Sequence, residues 1–243
     1  MYFSLITPTP GAEREAALQW AKSPYGDHQW IWQFLAAAPG TRRDFLFRRR
    51  DGEGSMPGFY VVSARKPQSF SDAWQVQSRD YDPQLQEGQR LAFELRANPV
   101  VTHTVNGKSR RDDVVMQEKK RLLTERGLLS WAEWSDADKS KPALYELVQA
   151  RCLDWLERRS EQAGFRVLTR NLHDEQEARL IKTIRVDGYT QHRVDRKDIR
   201  FSTVDFTGEL EIFNVAAFQR TLLNGIGHAK SFGCGLLLVR RIY

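Results

Sequence analysis

The chain has 243 residues, which is enough for one large domain or for two domains of roughly 100 to 150 residues each. It contains 37 Lys and Arg against 31 Asp and Glu, a formal net charge of +6, and this balance favours a polyanion as partner. An acidic membrane surface is the competing interpretation. Against it, the sequence has no basic amphipathic helix beside a lipidation signal, and its longest apolar runs fall far short of the roughly 18 residues that a membrane-spanning helix needs.

The two cysteines, Cys152 and Cys234, have no CxxC or Cys/His spacing that would hold zinc. The opening residues Met1 to Pro8 lack the charged region and the long apolar segment of a secretory signal. Both observations predict a reducing, cytoplasmic setting, although a disulfide between the two cysteines stays open.

The first half of the chain alternates short strand and helix patterns. Ser23-Pro24 ends a first helical pattern, because proline disfavours the helical conformation in the residue before it. Asp27 is a good N-cap for a second helix, which places His28 in that helix's first turn. Trp74 to Leu85 is a weak segment with no clear period. The predicted strands of this half are Tyr2 to Ile6, Arg43 to Arg48, Phe59 to Ser63 and Gln89 to Arg96.

The second half has longer elements. Between Thr102 and Asp113 the chain is polar and basic, and we predict a loop. Asp187-Gly188 is a strong hairpin turn signal between Leu180 to Arg185 and Gln191 to Arg196. Gly127 to Pro142 is irregular and resembles an insertion. Helices are predicted at Val114 to Arg126, Ala143 to Ala163 and Val215 to Leu223, and further strands at Phe165 to Thr169, Phe201 to Phe213 and Leu236 to Ile242.

The order β, α, β, β, α, β fits the second half when the strand at Leu91 is its first element. The first half has the same opening order. We therefore predict an α+β fold of two tandem ferredoxin-like (βαββαβ) domains, residues 1–88 and 89–243.

Four glycines lie in the twelve residues before the last strand, namely Gly225, Gly227, Gly233 and Gly235. Exposed backbone N–H groups in such a loop form a cradle for an anion, and Lys230 adds a positive charge. The spacing is neither the dinucleotide fingerprint nor a P-loop. The loop alone leaves open a plain alternative, a tight turn between a helix and a strand.

His28 and Tyr25 are the best candidates for proton transfer. A histidine in the first turn of a helix has a lowered pKa, because the positive end of the helix dipole opposes the imidazolium. The neutral ring is then able to remove the proton of an RNA 2′-OH, and Lys230 would stabilise the developing charge. The alternative is that both residues only pack at the start of the helix.

Basic residues form the second candidate site, in and just after the predicted hairpin. A β-ribbon there would lie along the phosphates of a nucleic acid. The plain alternative is a solvated, charged hairpin, since aspartates are interspersed. The residues are Lys182, Arg185, Arg193, Arg196, Lys197 and Arg200.

No Asp/Glu/His cluster has the spacing of a metal site, and no serine stands in a nucleophile elbow. Catalysis by this chain would therefore use no metal, no small-molecule cofactor and no covalent intermediate.

Several segments together resemble the CRISPR-associated CasE family, the repeat-RNA endoribonuclease of type I-E Cascade systems. They are spread in order over nearly the whole chain: Met1 to Leu5, Tyr25 with His28, Arg43 to Phe47, Leu95 to Pro99, Phe206 to Gly208, and Gly225 to Leu237. The Leu-Arg-Ala-Asn-Pro piece and the glycine loop are the most specific.

The resemblance implies two ferredoxin-like domains and one metal-independent cut at the base of a CRISPR repeat hairpin. It implies that the products carry a 2′,3′-cyclic phosphate and a 5′-hydroxyl, and that the enzyme stays bound and joins the other Cascade subunits. His28 would be the main catalytic residue with Tyr25 assisting, Lys230 would contact RNA or stabilise charge, and the basic hairpin would contact the stem. Two rivals remain, a catalytically silent RNA-binding module and a metal-dependent nuclease.

Overall fold

A computed structural model of the chain describes residues 1–20, 24–38, 40–50, 57–105, 107–174, 177–194 and 199–242. Its strands form two main antiparallel sheets with helices packed on them, which confirms the predicted α+β fold of two ferredoxin-like units. Among these residues, none of the helices is long and apolar enough to cross a membrane.

The N-terminal unit holds a four-stranded sheet in the order β2-β3-β1-β4. Two short helices, α1 (Glu13–Gln19) and α2 (Pro24–Trp32), connect the first strand to the second. Residues 64–73, between the third and fourth strands, form bends and turns where the ferredoxin-like pattern has a second helix. The strands are β1 (Tyr2–Pro8), β2 (Phe45–Arg50), β3 (Gly58–Ser63) and β4 (Trp74–Asp80).

The C-terminal unit has the complete ferredoxin-like arrangement, with its path through the sheet running β11-β12-β5-β13. Helices α4 (Leu144–Ala163) and α5 (Val215–Asn224) supply the two crossovers. A short strand, β8 (Phe165–Val167), extends the sheet by pairing with the end of β12. The four main strands are β5 (Arg90–Ala97), β11 (Ile184–Val194), β12 (Ile199–Ile212) and β13 (Leu237–Arg241).

Two hairpins and a helix are inserted into this unit. The first hairpin is β6 (Val100–Val105) with β7 (Lys108–Asp113), and it leads directly into α3 (Val114–Arg126). The second is β9 (Thr169–Asp174) with β10 (Glu177–Lys182). The first hairpin corrects our prediction of a loop between Thr102 and Asp113. Most of its described side chains are exposed, so both of its strands carry polar residues that resemble a loop in the sequence.

The predicted turn at Asp187-Gly188 is also wrong. Strand β11 runs straight through it, and the register with β12 shifts between Asp187 and Thr190, so the pair is a β-bulge. The pairing of β11 with β12 instead extends to Val194 and Ile199, and the residues between these two are outside the described part of the chain. Strand β4 was missed as well, and it supplies the edge of the first sheet.

The two units meet through a small apolar cluster of Leu46, Val62 and Leu236. Arg48 reaches across from β2 to within 3.5 Å of Glu94 and 3.6 Å of Asp205, both in the second unit. These contacts hold the sheets side by side. The domain boundary between residues 88 and 89 stays a prediction. Cys152 and Cys234 are both buried free thiols, so no disulfide joins them.

Candidate active site and RNA-binding surface

His28 lies in the middle of α2, one of the two helices of the N-terminal unit. The helix begins at Pro24, four residues before the predicted first helical residue, so the prediction that His28 lies in its first turn is wrong. Proline takes the first position, where the missing N–H is no loss. Asp27 is buried and accepts a hydrogen bond of 2.8 Å from the indole Nε1 of Trp20. It therefore fixes the helix to its neighbour α1 instead of capping the N-terminus.

The imidazole ring of His28 is half-buried against the aromatic core. It stacks on Phe45, with ring centroids 5.6 Å apart and planes 22° from parallel. Trp32, one turn later, meets the same ring edge-on at 6.3 Å. Because Phe45 and Trp32 also contact each other, the imidazole is held by a rigid aromatic corner.

The glycine loop runs from the end of α5 to the start of β13. Gly225, at φ +73, and Gly235, at φ +90, have positive φ angles that glycine adopts at little cost. A Cβ at Gly225 would lie 2.7 Å from the carbonyl oxygen of Gly235, so the two ends of the loop touch backbone to backbone. The amide of Ile226 donates to the same carbonyl at 2.9 Å. The loop is thus closed on itself at its base.

The tip of the loop is a short 3-10 helix, Lys230–Phe232. It is preceded by Ala229, whose φ of 54° is left-handed and uncommon for a residue with a side chain. Lys230 Nζ donates to the carbonyl of Asn224 at 2.6 Å, which turns the lysine back over the loop. Backbone strain of this kind clusters at functional sites, and here it lies directly before Lys230.

The structure brings the loop tip against α2, so His28 and Lys230 come from opposite ends of the chain to one place. Arg43 is near enough to both for its charge to act on each, and its Nη1 donates to Ser231 Oγ at 3.0 Å. Burial, followed by the positive charge of Arg43, lowers the pKa of His28 below its usual value. The same two causes, in the same order, lower the pKa of Lys230. One potential base and two cations therefore share a half-buried corner between the units.

A family model described as CRISPR associated protein matches residues 1–241, which is almost the entire chain. The chain belongs to this CRISPR-associated family. Both structural units, and the segments that carry His28, Arg43 and Lys230, lie inside the match.

Two curated relatives of this CRISPR-associated chain are similar over most of their length. "CRISPR system Cascade subunit CasE" of Escherichia coli K12 is 29% identical over 91% of this chain and 94% of the relative. "CRISPR-associated endoribonuclease Cse3" of Thermus thermophilus is 27% identical over 98% and 99%. The crystal structure of Cas6e from E. coli K-12 superimposes with a TM-score of 0.58 at 25% identity and covers all of both chains.

The structure places the other predicted catalytic residue, Tyr25, in α2, three positions before His28. Its side chain is outside the described part of the chain, so its role stays a prediction. Among the described residues, no group of three or more His, Cys, Asp and Glu side chains has the arrangement of a metal site.

The predicted RNA-binding residues do not all lie together in the structure. Arg193 and Arg200 are directly paired across β11 and β12, at the end of the ribbon. Arg185, at the other end of β11, is exposed and its Nε donates to Asp187 at 2.5 Å. Lys182 ends β10, and its side chain, like the whole of Arg196 and Lys197, is outside the described residues.

The glycines of the loop have mainly structural contacts. The amide N–H of Gly225 donates to the carbonyl oxygen of Thr221, and the amide N–H of Gly235 donates to that of Arg96, each at 2.7 Å. Gly233 is buried against Phe47, and a Cβ at Gly227 would lie 3.1 Å from the Trp155 ring. Close backbone approach is what the structure shows for these glycines, and their predicted contact with RNA phosphate remains a prediction.

Sequence reasoning missed Arg43 as a member of the site. Nothing in the local pattern separates it from Arg42, and only the tertiary contact with Ser231 shows its position. A signal was nevertheless present, because Arg43 opens the Arg-Asp-Phe-Leu-Phe segment on which the family resemblance partly rests.

Proposed function

We propose that this chain is an endoribonuclease that binds a CRISPR repeat hairpin and cuts the precursor RNA once, at the base of the stem. The observation that carries the proposal is the meeting of His28, Arg43 and Lys230 at the contact of α2 with the glycine loop. The curated names of the two relatives, an endoribonuclease and a Cascade subunit, support the same function.

The first step of the mechanism is proton removal. The usual pKa of histidine is near 6.5, and burial together with Arg43 lowers the pKa of His28, so the ring is neutral at pH 7. A neutral imidazole accepts the proton of the 2′-OH at the cut site. The 2′ oxygen then attacks the adjacent phosphorus atom, and charge develops on the non-bridging oxygens.

Lys230 and Arg43 stabilise that charge. Both cations are partly removed from water, where an electrostatic contact is worth more than at an open surface. The bond from phosphorus to the 5′ oxygen breaks, and the leaving oxygen takes a proton from the imidazolium or from water. The products are a 2′,3′-cyclic phosphate and a 5′-hydroxyl. The sequence of steps needs a base and cations, and we propose that it proceeds without a metal ion.

The hairpin of β11 and β12 is the proposed surface for the RNA stem. Arg193 and Arg200 stand at its end, on the C-terminal unit that also carries the loop. We propose that these contacts persist after the cut, so that the chain keeps its product and acts in the cytoplasm as a subunit of Cascade.

The decisive experiment incubates the purified protein in EDTA with the repeat hairpin RNA from its own locus. His28→Ala and a substrate with a 2′-deoxy group at the cut site serve as the two comparisons. We expect efficient cleavage only when the unmodified protein meets the unmodified RNA. The cleavage rate should fall about 10²- to 10⁴-fold for His28→Ala. Binding should be normal in every case.

Each rival predicts a different result. A silent RNA-binding module binds all three combinations and cuts none of them. A metal-dependent nuclease cuts only when Mg²⁺ or Mn²⁺ replaces EDTA. Cleavage of the 2′-deoxy substrate would contradict the 2′-OH mechanism directly.

A further inference from the structure

A cavity of about 630 Å³ opens beside the glycine loop, between the end of the β11–β12 hairpin and the start of α3. Its volume lies within the range of ordinary small-molecule sites. His228, Ala229 and Phe232 of the loop form one wall, and Lys230 lies between the last two in sequence. The cavity and the proposed catalytic corner are therefore served by the same short loop.

Three rings line this cavity as a column. Phe201 stacks on Phe232, with centroids 4.3 Å apart and planes 28° from parallel. The His192 ring also stacks on Phe201, with centroids 4.8 Å apart and planes 22° from parallel. All three rings are half-buried, whereas Phe206, five residues later on the strand of Phe201, is completely buried in the core. Rings that line an open cavity in parallel provide a platform for a further planar group.

The rim of the cavity is cationic. Arg111, Arg193 and Arg200 line it, together with His228. The carboxylate among its described lining residues, Asp113, caps the N-terminus of α3 through the amides of Val115 and Met116, each at 2.9 Å. Tyr189 and Ser202 donate to the same carboxylate, so its oxygens are occupied by neutral donors within the protein. The electrostatic character of the opening thus comes from the arginines.

The His192 ring is fixed and uncharged. Its Nε2 lies 2.8 Å from Thr203 Oγ1. Burial, and then the charge of Arg96, lowers the pKa of His192, so the imidazole is neutral at pH 7. A neutral ring held at one orientation stacks on a nucleobase without needing a counter-charge.

We propose that this cavity binds one unpaired nucleotide of the substrate RNA, whose base continues the aromatic column from its His192 end and whose phosphate faces the arginine rim. This inference rests on the proposed function and adds a subsite to it. An unpaired nucleotide is the occupant that a flat aromatic platform and a cationic rim both suit, because bases stack on aromatic side chains and single strands bind along positive grooves. Interior base pairs would not suit this platform, since both faces of each base are already covered by their neighbours.

The test uses the full chain with His28→Ala, so that the RNA stays intact, and the repeat hairpin with its single-stranded flanks. Each flanking nucleotide is replaced in turn by an abasic residue, and the dissociation constant is measured. We expect one position at which loss of the base weakens binding roughly 5- to 150-fold, the usual range for one stacked base.

The same series is then repeated with His192→Leu, His192→Phe and His103→Leu. His192→Leu removes the stacking ring, so it should weaken binding of the intact RNA by the same factor and abolish the effect of the abasic position. His192→Phe keeps a stacking ring and should restore both. His103 is exposed on the separate β6–β7 hairpin, so His103→Leu is the matched control and should behave as the parent does.

An abasic effect of equal size in the parent and in His192→Leu would overturn the subsite. That result would leave the proposed function intact, provided that the chain with His28 cleaves the hairpin. Failure of the parent to bind the RNA at all would overturn both. Thermal unfolding of each variant shows whether a loss of binding is only a loss of folding.

Discussion

The two units of this protein position their functional groups in different ways. The N-terminal unit lacks the second helix of the ferredoxin-like pattern among its described residues and fills its core with large rings: Trp30, Phe34, Phe45, Phe47, Phe59 and Trp74. His28 stacks directly on one of them. The position of the potential base is therefore set by side-chain packing.

The C-terminal unit has both helices and a larger core, and it presents Lys230 on a loop outside that core. The direction of the lysine is set by backbone conformation, through glycines at positive φ and a left-handed Ala229. The two units should therefore be sensitive to different kinds of substitution. A change of ring volume should disturb the base, and a change of backbone freedom should disturb the cation.

Among the variants that test this difference between the units, the largest expected effect comes from removing the cation of Lys230. Lys230→Met keeps most of the aliphatic stem but loses the charge, and we expect single-turnover cleavage to fall about 10²- to 10³-fold. RNA affinity should change much less. Lys66→Met removes the same charge from an exposed position in the other unit, and its cleavage rate should equal that of the unmodified protein. Equal rates for the two variants would remove Lys230 from the mechanism.

Next in size is a backbone change in the loop. An alanine at Gly225 would bring its Cβ to 2.7 Å from the Gly235 carbonyl and to 2.9 Å from Leu46, at a φ of +73°. We expect Gly225→Ala to lower the free energy of unfolding by about 2 to 4 kcal/mol in urea denaturation.

Gly127→Ala is the matched control for this loop. Gly127 ends α3 at a similar φ of +67°, but an added Cβ there meets no atom within 4 Å. Gly127→Ala should lower the free energy of unfolding only through its unfavourable positive φ, by about 1 kcal/mol. If both alanines cost the same, close approach in the loop contributes nothing to stability.

A smaller effect is expected from the ring under His28. Phe45→Leu removes the stacking surface but leaves an apolar side chain, and we expect cleavage to slow about 10-fold at saturating protein. Phe59→Leu removes a ring of the same kind from the same core without touching His28. It should destabilise the fold to a similar extent and leave the cleavage rate unchanged, so parallel losses in both variants would show a general effect of core packing.

The smallest expected effect is a shift in pH dependence, which is measured from the position of the acidic limb and not from the maximal rate, since losing the Arg43 cation also lowers that rate. In the proposed mechanism His28 acts as a base when neutral, so cleavage should fall on the acidic side as pH drops through its lowered pKa. Arg43→Gln removes one cause of the lowering, the pKa rises, and the acidic limb moves to higher pH. Arg43→Lys keeps the positive charge and should leave the limb in place. If the acidic limb does not move in Arg43→Gln, then Arg43 does not lower the pKa of His28.

Much of the fold was predictable because its elements have clear patterns. Helix α3 begins and ends where the sequence predicts, with Asp113 as a capping residue and Gly127 as a left-handed terminator. Strand β4 was missed because it is an edge strand, and its outward residues are polar and close in sequence to other polar segments. Asp187-Gly188 was misassigned because a bulge uses the same positive φ at glycine as a hairpin turn does, and Gly188 has φ +61°.

The site was predictable in its parts and not in its assembly. His28 and Lys230 each stand out locally, one in a helix and one in a glycine loop. Their meeting depends on how the two sheets pack through Leu46, Val62 and Leu236, which no local pattern specifies. Arg43 was not recognisable for the same reason, since its neighbour Ser231 is distant in sequence.

His28 and Lys230 lie near opposite ends of the chain, so they are synthesised at different times. Domains fold during synthesis from the N-terminus onward, so the aromatic unit with its histidine forms while the glycine loop is still unmade. A nascent chain therefore holds His28 and Arg43 before Lys230 has been made. Competence to cut RNA would arise late, in a single step, when the loop docks on a unit that is already folded.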